Sequence, residues 1–566
     1  MYAIKLSVFF CLGLAGFTWQ NEQIPRVDTH LGNISGYYKT SQFGKKYEAY
    51  EGIPYAEPPV GKLRFEPPRP AQRWGNELPA KKKSSPCMQF LMSFEAKGED
   101  RVIGCEDCLY MNIYVSIRNN NEELLPVIFW IHGGAFQFGT GNQADEKRIM
   151  DRNIVLVTSN YRLGPFGFLS TEDSVVPGNM GLKDQSLALR WVYDNIENFG
   201  GDSKEITLLG LSAGGTSVHY HYMSPLSAGL FQRGISISGV TLNPRSQTRH
   251  ASKKAKKLAS LMGCSSDTSE NMIACLKARP PRVISQAVGN FMHWLYNPAT
   301  PFGPVVEKQG SNPFINRPPI EIISSGDVLD VPWITGIVSE EGLYPSAEYV
   351  ANDNLLKELN DNWDDLAPYI LNFNDSIPLK EHKQVAEKIR EFYFGREKID
   401  SDTVMTLIHM IGDRSFGVGF EKASRLQAKV NKSPVWTYYY SYRAQHSFSE
   451  AMSGSNKNFG VSHGDDLFLV LDKTISNTTK PDDLKMQEYL IDFYTSFAIE
   501  GIPNIGHAKW EPLNSDQDFR YLHIANLTSI SMESSRNFAE KDFWSTIHIY
   551  EKDQLSQKIS SKYGAT

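Results

Sequence analysis

The run Leu208-Leu209-Gly210-Leu211-Ser212-Ala213-Gly214-Gly215-Thr216 constrains this chain more than any other stretch. Ile206 to Leu209 is short, mostly apolar and β-branched, the pattern of a buried strand. Ala213 to Tyr222 contains no Pro and continues as a helix. A strand that turns straight into a helix leaves the residue between them in a strained backbone conformation with its side chain projecting. Gly210 and Gly214 lack a Cβ, so two backbones can pass close together there. The Gly-x-Ser-x-Gly pattern therefore offers Ser212 as a nucleophile. Pentapeptides of this form also arise by chance in long Gly- and Ser-rich chains, so the rest of the sequence has to decide.

Around this run, strand patterns alternate with helical ones. Val127 to Ile131 and Ile154 to Ser159 read as fully buried strands, and Asp184 to Phe199 as an amphipathic helix. Leu109 to Ser116, Gly234 to Ser238, Val331 to Val338, Val435 to Tyr442 and Phe519 to Ile524 are further strand candidates, with Lys485 to Ile499 a helix between the last two. That alternation predicts an α/β protein with a large, mostly parallel sheet covered by helices on both faces. Val27 to Gly36 reads as a small hairpin. Tyr50 to Gly61, rich in Pro and Gly, reads as a surface loop, and Asn352 to Arg425 as a helical insertion beside the sheet. No Pro/Gly/Ser-rich linker, repeat or low-complexity run divides the 566 residues, so residues 20–566 are expected to form one unit.

The N-terminus points to a compartment. Lys5, an apolar stretch from Leu6 to Ala15 and polar Gln20-Asn21-Glu22 have the layout of a cleaved signal peptide over residues 1–19, with cleavage between about 16 and 19. No later run is long and apolar enough to span a bilayer, and the polar C-terminus carries no retention or anchor signal. A secreted protein is expected. A net charge of −6 argues against nucleic acid as a partner. Removing Cys11 with the leader leaves five cysteines. Cys264 and Cys275 are expected to close a short loop, Cys87 pairs with Cys105 or Cys108, and one thiol is left over. No His/Cys pair at zinc-like spacing accompanies Cys105-x-x-Cys108, so a metal site is not expected. Sequons at Asn33, Asn374, Asn477 and Asn526 are glycosylation candidates.

A serine hydroxyl is a weak nucleophile. It needs a base to take its proton, a carboxylate to orient that base, and donors for the oxyanion. His463, in the Gly-flanked loop Gly460-Val461-Ser462-His463-Gly464, is the better base. His219 and His221, two apart on the helix after Ser212, point to different sides, which argues against a shared metal site. Glu340 and Glu341 directly follow the strand ending at Val338, and the residues alone do not separate them. His132-Gly133-Gly134-Ala135 precedes Ser212 and is placed to supply donors.

Taken together, these segments resemble the type-B carboxylesterase/lipase family, which includes cholinesterases and insect esterases. The resemblance runs from about Val27 to the Ile524 region. It is carried by Gly52-Ile53-Pro54-Tyr55-Ala56, Glu106-Asp107-Cys108-Leu109-Tyr110-Met111-Asn112 and Trp130-Ile131-His132-Gly133-Gly134-Ala135-Phe136. It continues through Asn160-Tyr161-Arg162-Leu163-Gly164, Gly178 to Gln185, the Ser212 run, Ser339-Glu340-Glu341-Gly342 and Ser462-His463-Gly464. It implies an α/β-hydrolase fold with helical insertions around a gorge. Ser212 would be the nucleophile, Glu341 the acid and His463 the base, with backbone donors from Gly134, Ala135 and Ala213. It further implies a Cys87–Cys108 disulfide beside Cys264–Cys275, an unpaired Cys105, ion pairs Arg64–Glu106 and Arg162–Asp184, and Ser238 as a serine near the acid and base. No metal or organic cofactor is implied.

Two departures narrow the substrate. Cholinesterases of the family hold a quaternary ammonium against a Trp in the loop matching Cys87–Cys108 and with a Glu before the nucleophile. This loop has no Trp, and Leu211 precedes Ser212, so both attractions for a cation are missing. The implied activity is hydrolysis of small uncharged carboxylic esters, similar to that of insect general and venom carboxylesterases. A lipase would use the same residues. A cholinesterase-like enzyme, or an inactive adhesion protein of the same fold, fits these residues less well.

Overall fold

The structure is a computed structural model that describes residues 24–92, 101–117, 123–515, 517–547 and 549. The apolar leader over residues 1–19 and the polar tail over residues 560–566 lie outside the described residues. The strands of the main sheet are β1 (Tyr37–Thr40), β2 (Lys46–Pro54), β3 (Tyr110–Ser116), β4 (Leu125–Ile131), β5 (Val155–Ser159), β6 (Gly201–Leu211), β7 (Arg233–Ile237), β8 (Trp333–Val338), β9 (Val435–Tyr440), β10 (Phe519–Asn526) and β11 (Ser529–Ser535). They form one eleven-stranded sheet in the order β11-β10-β9-β8-β7-β6-β4-β5-β3-β2-β1. Every pairing from β5 across to β10 is parallel. The pairings at the two wings are antiparallel.

Strand periodicity explains why the sheet is covered twice. Side chains of successive residues leave opposite faces of a strand. Val127, Phe129 and Ile131 of β4 join one apolar cluster, with Leu182 and Leu189 of helix α1 (Met180–Asn195) and Val218 of helix α2 (Ala213–His221). Ile128 and Trp130 of the same strand join another, with Met486, Leu490 and Phe493 of helix α3 (Pro481–Glu500). Both faces being buried is what makes the central strands read as continuous apolar runs. A third cluster holds the helices between Asp353 and Val430, around Leu359, Trp363, Ile389 and Leu407.

Three local features differ from the sequence reading or go beyond it. The stretch starting at Tyr50 is not all loop, because β2 runs on through Pro54. It pairs with β3 through a register shift between Glu51 and Ile53, where Gly52 takes φ +81°. A bulge at that glycine lets Tyr50 and Ile53 both reach the core. The exposed edge strand β11 alternates half-buried and exposed residues and has no apolar run to announce it. Among the cysteines, Cys87 and Cys105 sit opposite one another in an isolated parallel bridge, yet the disulfides are Cys87–Cys108 and Cys264–Cys275, and Cys105 is free. No helix among the described residues is long and apolar enough to cross a membrane.

Two buried arginines brace the loops at the parallel strands' ends. Arg162 meets Asp184 of α1 through Nε at 2.8 Å and Nη2 at 2.6 Å, and its amide donates to the same carboxylate at 3.0 Å. Arg64 meets Glu106 at 2.6 and 2.7 Å and donates to the carbonyls of Leu276, Lys277 and Arg279. Removing one partner of such a pair leaves a buried charge uncompensated. Asp184→Asn is expected to lower unfolding stability by about 3–5 kcal/mol, read from the midpoint shift in urea titrations followed by fluorescence.

Candidate active site

Ser212 stands between β6 and α2 with φ 59° and ψ −120°, a region that costs a non-glycine residue about 1–3 kcal/mol. The surroundings enforce it. The Ser212 amide donates to Ile237 O at 2.8 Å, and its carbonyl accepts from Thr216 N at 2.8 Å. A Cβ on Gly210 would lie 2.2 Å from Gly214 O, and one on Gly214 would lie 2.0 Å from Ile131 O. Only glycine fits where the helix crosses back over β6 and β4.

The two glutamates after β8 separate cleanly. Glu341 Oε2 lies 2.5 Å from His463 Nδ1, and its Oε1 accepts from Val338 N at 3.0 Å. Both side chains are buried, at 2% and 4% exposure. Tyr344 stacks on the imidazole with ring centroids 5.0 Å apart, and Phe416 tilts against it at 4.8 Å. The carboxylate makes Nδ1 the protonated nitrogen and leaves Nε2 as the acceptor. Nε2 is buried and has no hydrogen-bond partner among the described residues. Glu340 faces elsewhere: its Oε2 accepts from Val461 N at 2.6 Å and from Ser339 Oγ at 2.5 Å, and Glu340 pairs with Ser462 in a parallel bridge. It stitches the loop carrying His463 to the end of β8.

Two carboxylates that the sequence reading passed over hold that loop from the other side. Asp465 accepts from Ser462 N and Phe448 N, each at 2.8 Å, and burial pushes its carboxyl up to about 7. Asp466 accepts from Tyr438 Oη at 2.7 Å, and burial pushes it up to about 6. Their only sequence signal is adjacency to His463.

The His132 loop lies directly against the nucleophile, since a Cβ on Gly133 would sit 3.2 Å from Ser212 Cβ. Gly134, Ala135 and Phe136 have φ values of +105°, +52° and +60°. The turn is closed by Gln137 N and Phe138 N, which donate to Gly134 O at 2.8 and 3.0 Å. No backbone carbonyl among the described residues accepts from the amides of Gly134 or Ala135. Ala213 opens α2, where amides of the first turn have no intrahelical acceptor and the helix dipole favours negative charge. His132 packs on Tyr161 with centroids 4.3 Å apart, and burial pushes its imidazole down to about 4, so it holds the loop as a neutral ring.

Ser212, His463, Gly133 and Gly134 line one cavity of 330 Å³, walled by Leu91, Met92, Trp130, Leu211, Phe448 and Phe468. The one carboxylate among its described lining residues, Asp472, is turned to its own chain, accepting from Thr474 N and Ile475 N at 2.8 and 3.0 Å. Ser238 has φ 49° and a buried hydroxyl with no partner among the described residues, so no hydrogen bond ties it to Glu341 or His463. His219 bonds Gln427 at 3.0 Å and stacks on Trp333, while His221 bonds Ser227 at 2.6 Å; burial pushes both rings down to about 3. No group of His, Cys, Asp and Glu suited to a metal ion occurs among the described residues.

Residues 23–544 match the sequence profile described as the Carboxylesterase family. The chain is 62% identical to venom carboxylesterase-6 of Apis mellifera over 554 residues, covering 97% of this chain and 99% of the relative. It is 34% identical to a juvenile hormone esterase of Tribolium castaneum, covering 93% and 94% of the two. The crystal structure of juvenile hormone esterase from Manduca sexta, with OTFP covalently attached, superposes with a TM-score of 0.79 at 25% identity over 93% of this chain and 99% of that one.

Proposed function

Because the chain belongs to the carboxylesterase family, we propose that this carboxylic ester hydrolase works through an acyl-enzyme on Ser212, with His463 as base, Glu341 as its orienting acid and Gly134, Ala135 and Ala213 as oxyanion donors. One observation carries the reading. A buried carboxylate sits 2.5 Å from His463 Nδ1, while Nε2 is left without a protein partner in the cavity that Ser212 also lines.

In this mechanism His463 Nε2 takes the Ser212 proton as Oγ attacks the ester carbonyl, and Glu341 stabilises the imidazolium. The carbonyl oxygen gathers negative charge as it becomes tetrahedral, and each positioned amide is worth about 2.7–4 kcal/mol there. The imidazolium then gives its proton to the departing alcohol oxygen. Water, deprotonated by His463, attacks the acyl-enzyme and releases the acid. The route needs no metal or organic cofactor.

The alcohol half of the substrate is uncharged. Among the described residues, Leu211 and the apolar wall of the cavity offer a cation no carboxylate, and Asp472 is already engaged by its own backbone. Ala135 in place of a glycine leaves the donor intact, because the donor is backbone. The protein is exported: residues 1 to about 16–19 act as the signal, and residues from 20 onward work as one unit. Exposed Asn33, Asn477 and Asn526 and half-buried Asn374 are its glycosylation sites. A relative named as a venom carboxylesterase supports an extracellular setting.

A fluorophosphonate probe tests the nucleophile directly. One probe per chain is expected, with the label on the peptide containing Ser212 by tandem mass spectrometry. A label on any other serine, or none, overturns the assignment.

A further inference from the structure

The two halves of an ester meet different surroundings at Ser212. The leaving oxygen must face His463, which protonates it, and that imidazole lines the 330 Å³ cavity. A second compartment lies on the side of the oxyanion amides. Ser212, Ala135 and Ala213 line it and His463 does not. This second space is then open to the far end of the acyl group, and its volume of 20 Å³ is about the room of one small polar group.

That compartment is rich in unused donors. Arg245 lines it with Ser238, Asn243 and Thr300. The guanidinium Nε and Nη1 are shut off from solvent with no hydrogen-bond partner among the described residues, and the hydroxyls of Ser238 and Thr300 are in the same state. The Arg245 side chain is held between the rings of Tyr344 and Phe416, with Cζ 5.7 and 5.0 Å from their centroids. Those rings also pack on His463. Aromatic faces hold a cation in place, but they supply no acceptor for its N–H groups. A buried guanidinium ordinarily has a carboxylate opposite it, as Arg162 and Arg64 do in this molecule. Here none accepts from Nε or Nη1. Among the described residues Asn243 Oδ1 is the one unpartnered group here that only accepts, the guanidinium nitrogens only donate and the hydroxyls can do either, so the positive charge of Arg245 decides that the compartment calls for an acceptor.

We infer that Arg245, with Ser238 and Thr300, selects a short acyl group ending in a carboxylate, so that half-esters of small dicarboxylic acids with an apolar alcohol are preferred substrates. The inference rests on Ser212 as the nucleophile and narrows the expectation of an uncharged ester to the alcohol half. With benzyl hydrogen succinate, Ser212 Oγ bonds the acyl carbon, the bond to the benzyl oxygen breaks, and His463 hands that oxygen the proton. Water then releases succinate. A guanidinium fixes the directions of its N–H donors and stays charged when buried, which makes Arg, rather than Lys, the suited residue.

The test compares kcat/KM for benzyl hydrogen succinate with that for benzyl 4-methylpentanoate, which has the same shape without the charge. The wild type is expected to favour the half-ester. Arg245→Met is expected to lower the ratio of the two constants at least about tenfold, and Arg245→Lys to keep part of it. A wild type that favours the neutral ester overturns the inference while leaving Ser212 in its role, as does an Arg245→Met variant with an unchanged ratio, where the guanidinium would serve only buried water. A wild type inert on both esters overturns the nucleophile reading itself. Should Arg245→Met not fold, fluorophosphonate labelling of the wild type decides: succinate is expected to slow it more than 4-methylpentanoate does, and equal slowing overturns the inference.

Discussion

Ser212→Ala is expected to lower kcat on a short-chain nitrophenyl ester by about 10⁶-fold, the loss typical when the nucleophile of such a triad is removed. What survives is the rate that the oxyanion amides and substrate binding give to bulk water, about 10³–10⁴ above the uncatalysed reaction. The backbone strain at position 212 comes from the crossing of α2 over β6 and β4 and is indifferent to a missing hydroxyl. The circular dichroism spectrum and urea midpoint should therefore be unchanged. Steady-state rates with each preparation calibrated for trace wild type check this. A variant retaining a tenth of the activity would show that another group attacks the ester. Combining Ser212→Ala with His463→Ala should cost no more than either alone, because the two act as a unit.

The second large effect separates adjacent glutamates. Glu341→Gln is expected to lower kcat by about 10⁴-fold. An amide in that place can donate to Nδ1, which turns the imidazole to the wrong tautomer and leaves the forming imidazolium without a counter-charge. Glu340→Gln removes an acceptor that holds Val461 N and Ser339 Oγ. It should leave most of kcat and lower the temperature at which activity is lost. Measuring kcat and thermal inactivation side by side for both variants distinguishes the roles. Equal kcat losses would contradict the assignment of Glu341.

The central elements of this architecture were legible because of burial on both faces. Strands such as Val127 to Ile131 and Ile154 to Ser159 carry apolar side chains at consecutive positions, and helices alternate with them. The elbow was legible for a different reason: Gly210 and Gly214 are the only residue type that the backbone crossing admits. Where a choice turned on direction rather than composition, the residues alone were silent. Glu340 and Glu341 have the same chemistry, and only the path of the chain after Val338 aims one at His463 and the other at Val461. Cys105 and Cys108 posed the same problem. Cys87 and Cys105 face each other across a backbone bridge, but the sulfur of Cys87 bonds Cys108. Resemblance to a family had named Glu341 and Cys108 where periodicity could not, and the disulfide is as it implied. Arg245 gave no sign at all, since an arginine in a Pro-flanked turn ordinarily lies in solvent. Edge strand β11 was hidden for the opposite reason, being too exposed to leave an apolar trace.

The unequal spaces on the two sides of Ser212 also set the order of traffic through the molecule. In the proposed mechanism the alcohol occupies the roomy side and departs first, because it alone faces the proton that His463 gives up. From the vacancy it leaves, water would reach both the acyl carbon and the same imidazole nitrogen. Water would thus arrive by the door through which the alcohol left, while the far end of the acyl group stays in a closet of 20 Å³ until its bond to the serine is cut. One doorway used twice would make the departure of the alcohol a precondition for the arrival of water, and the proposed intermediate would be protected from hydrolysis for as long as the alcohol remains.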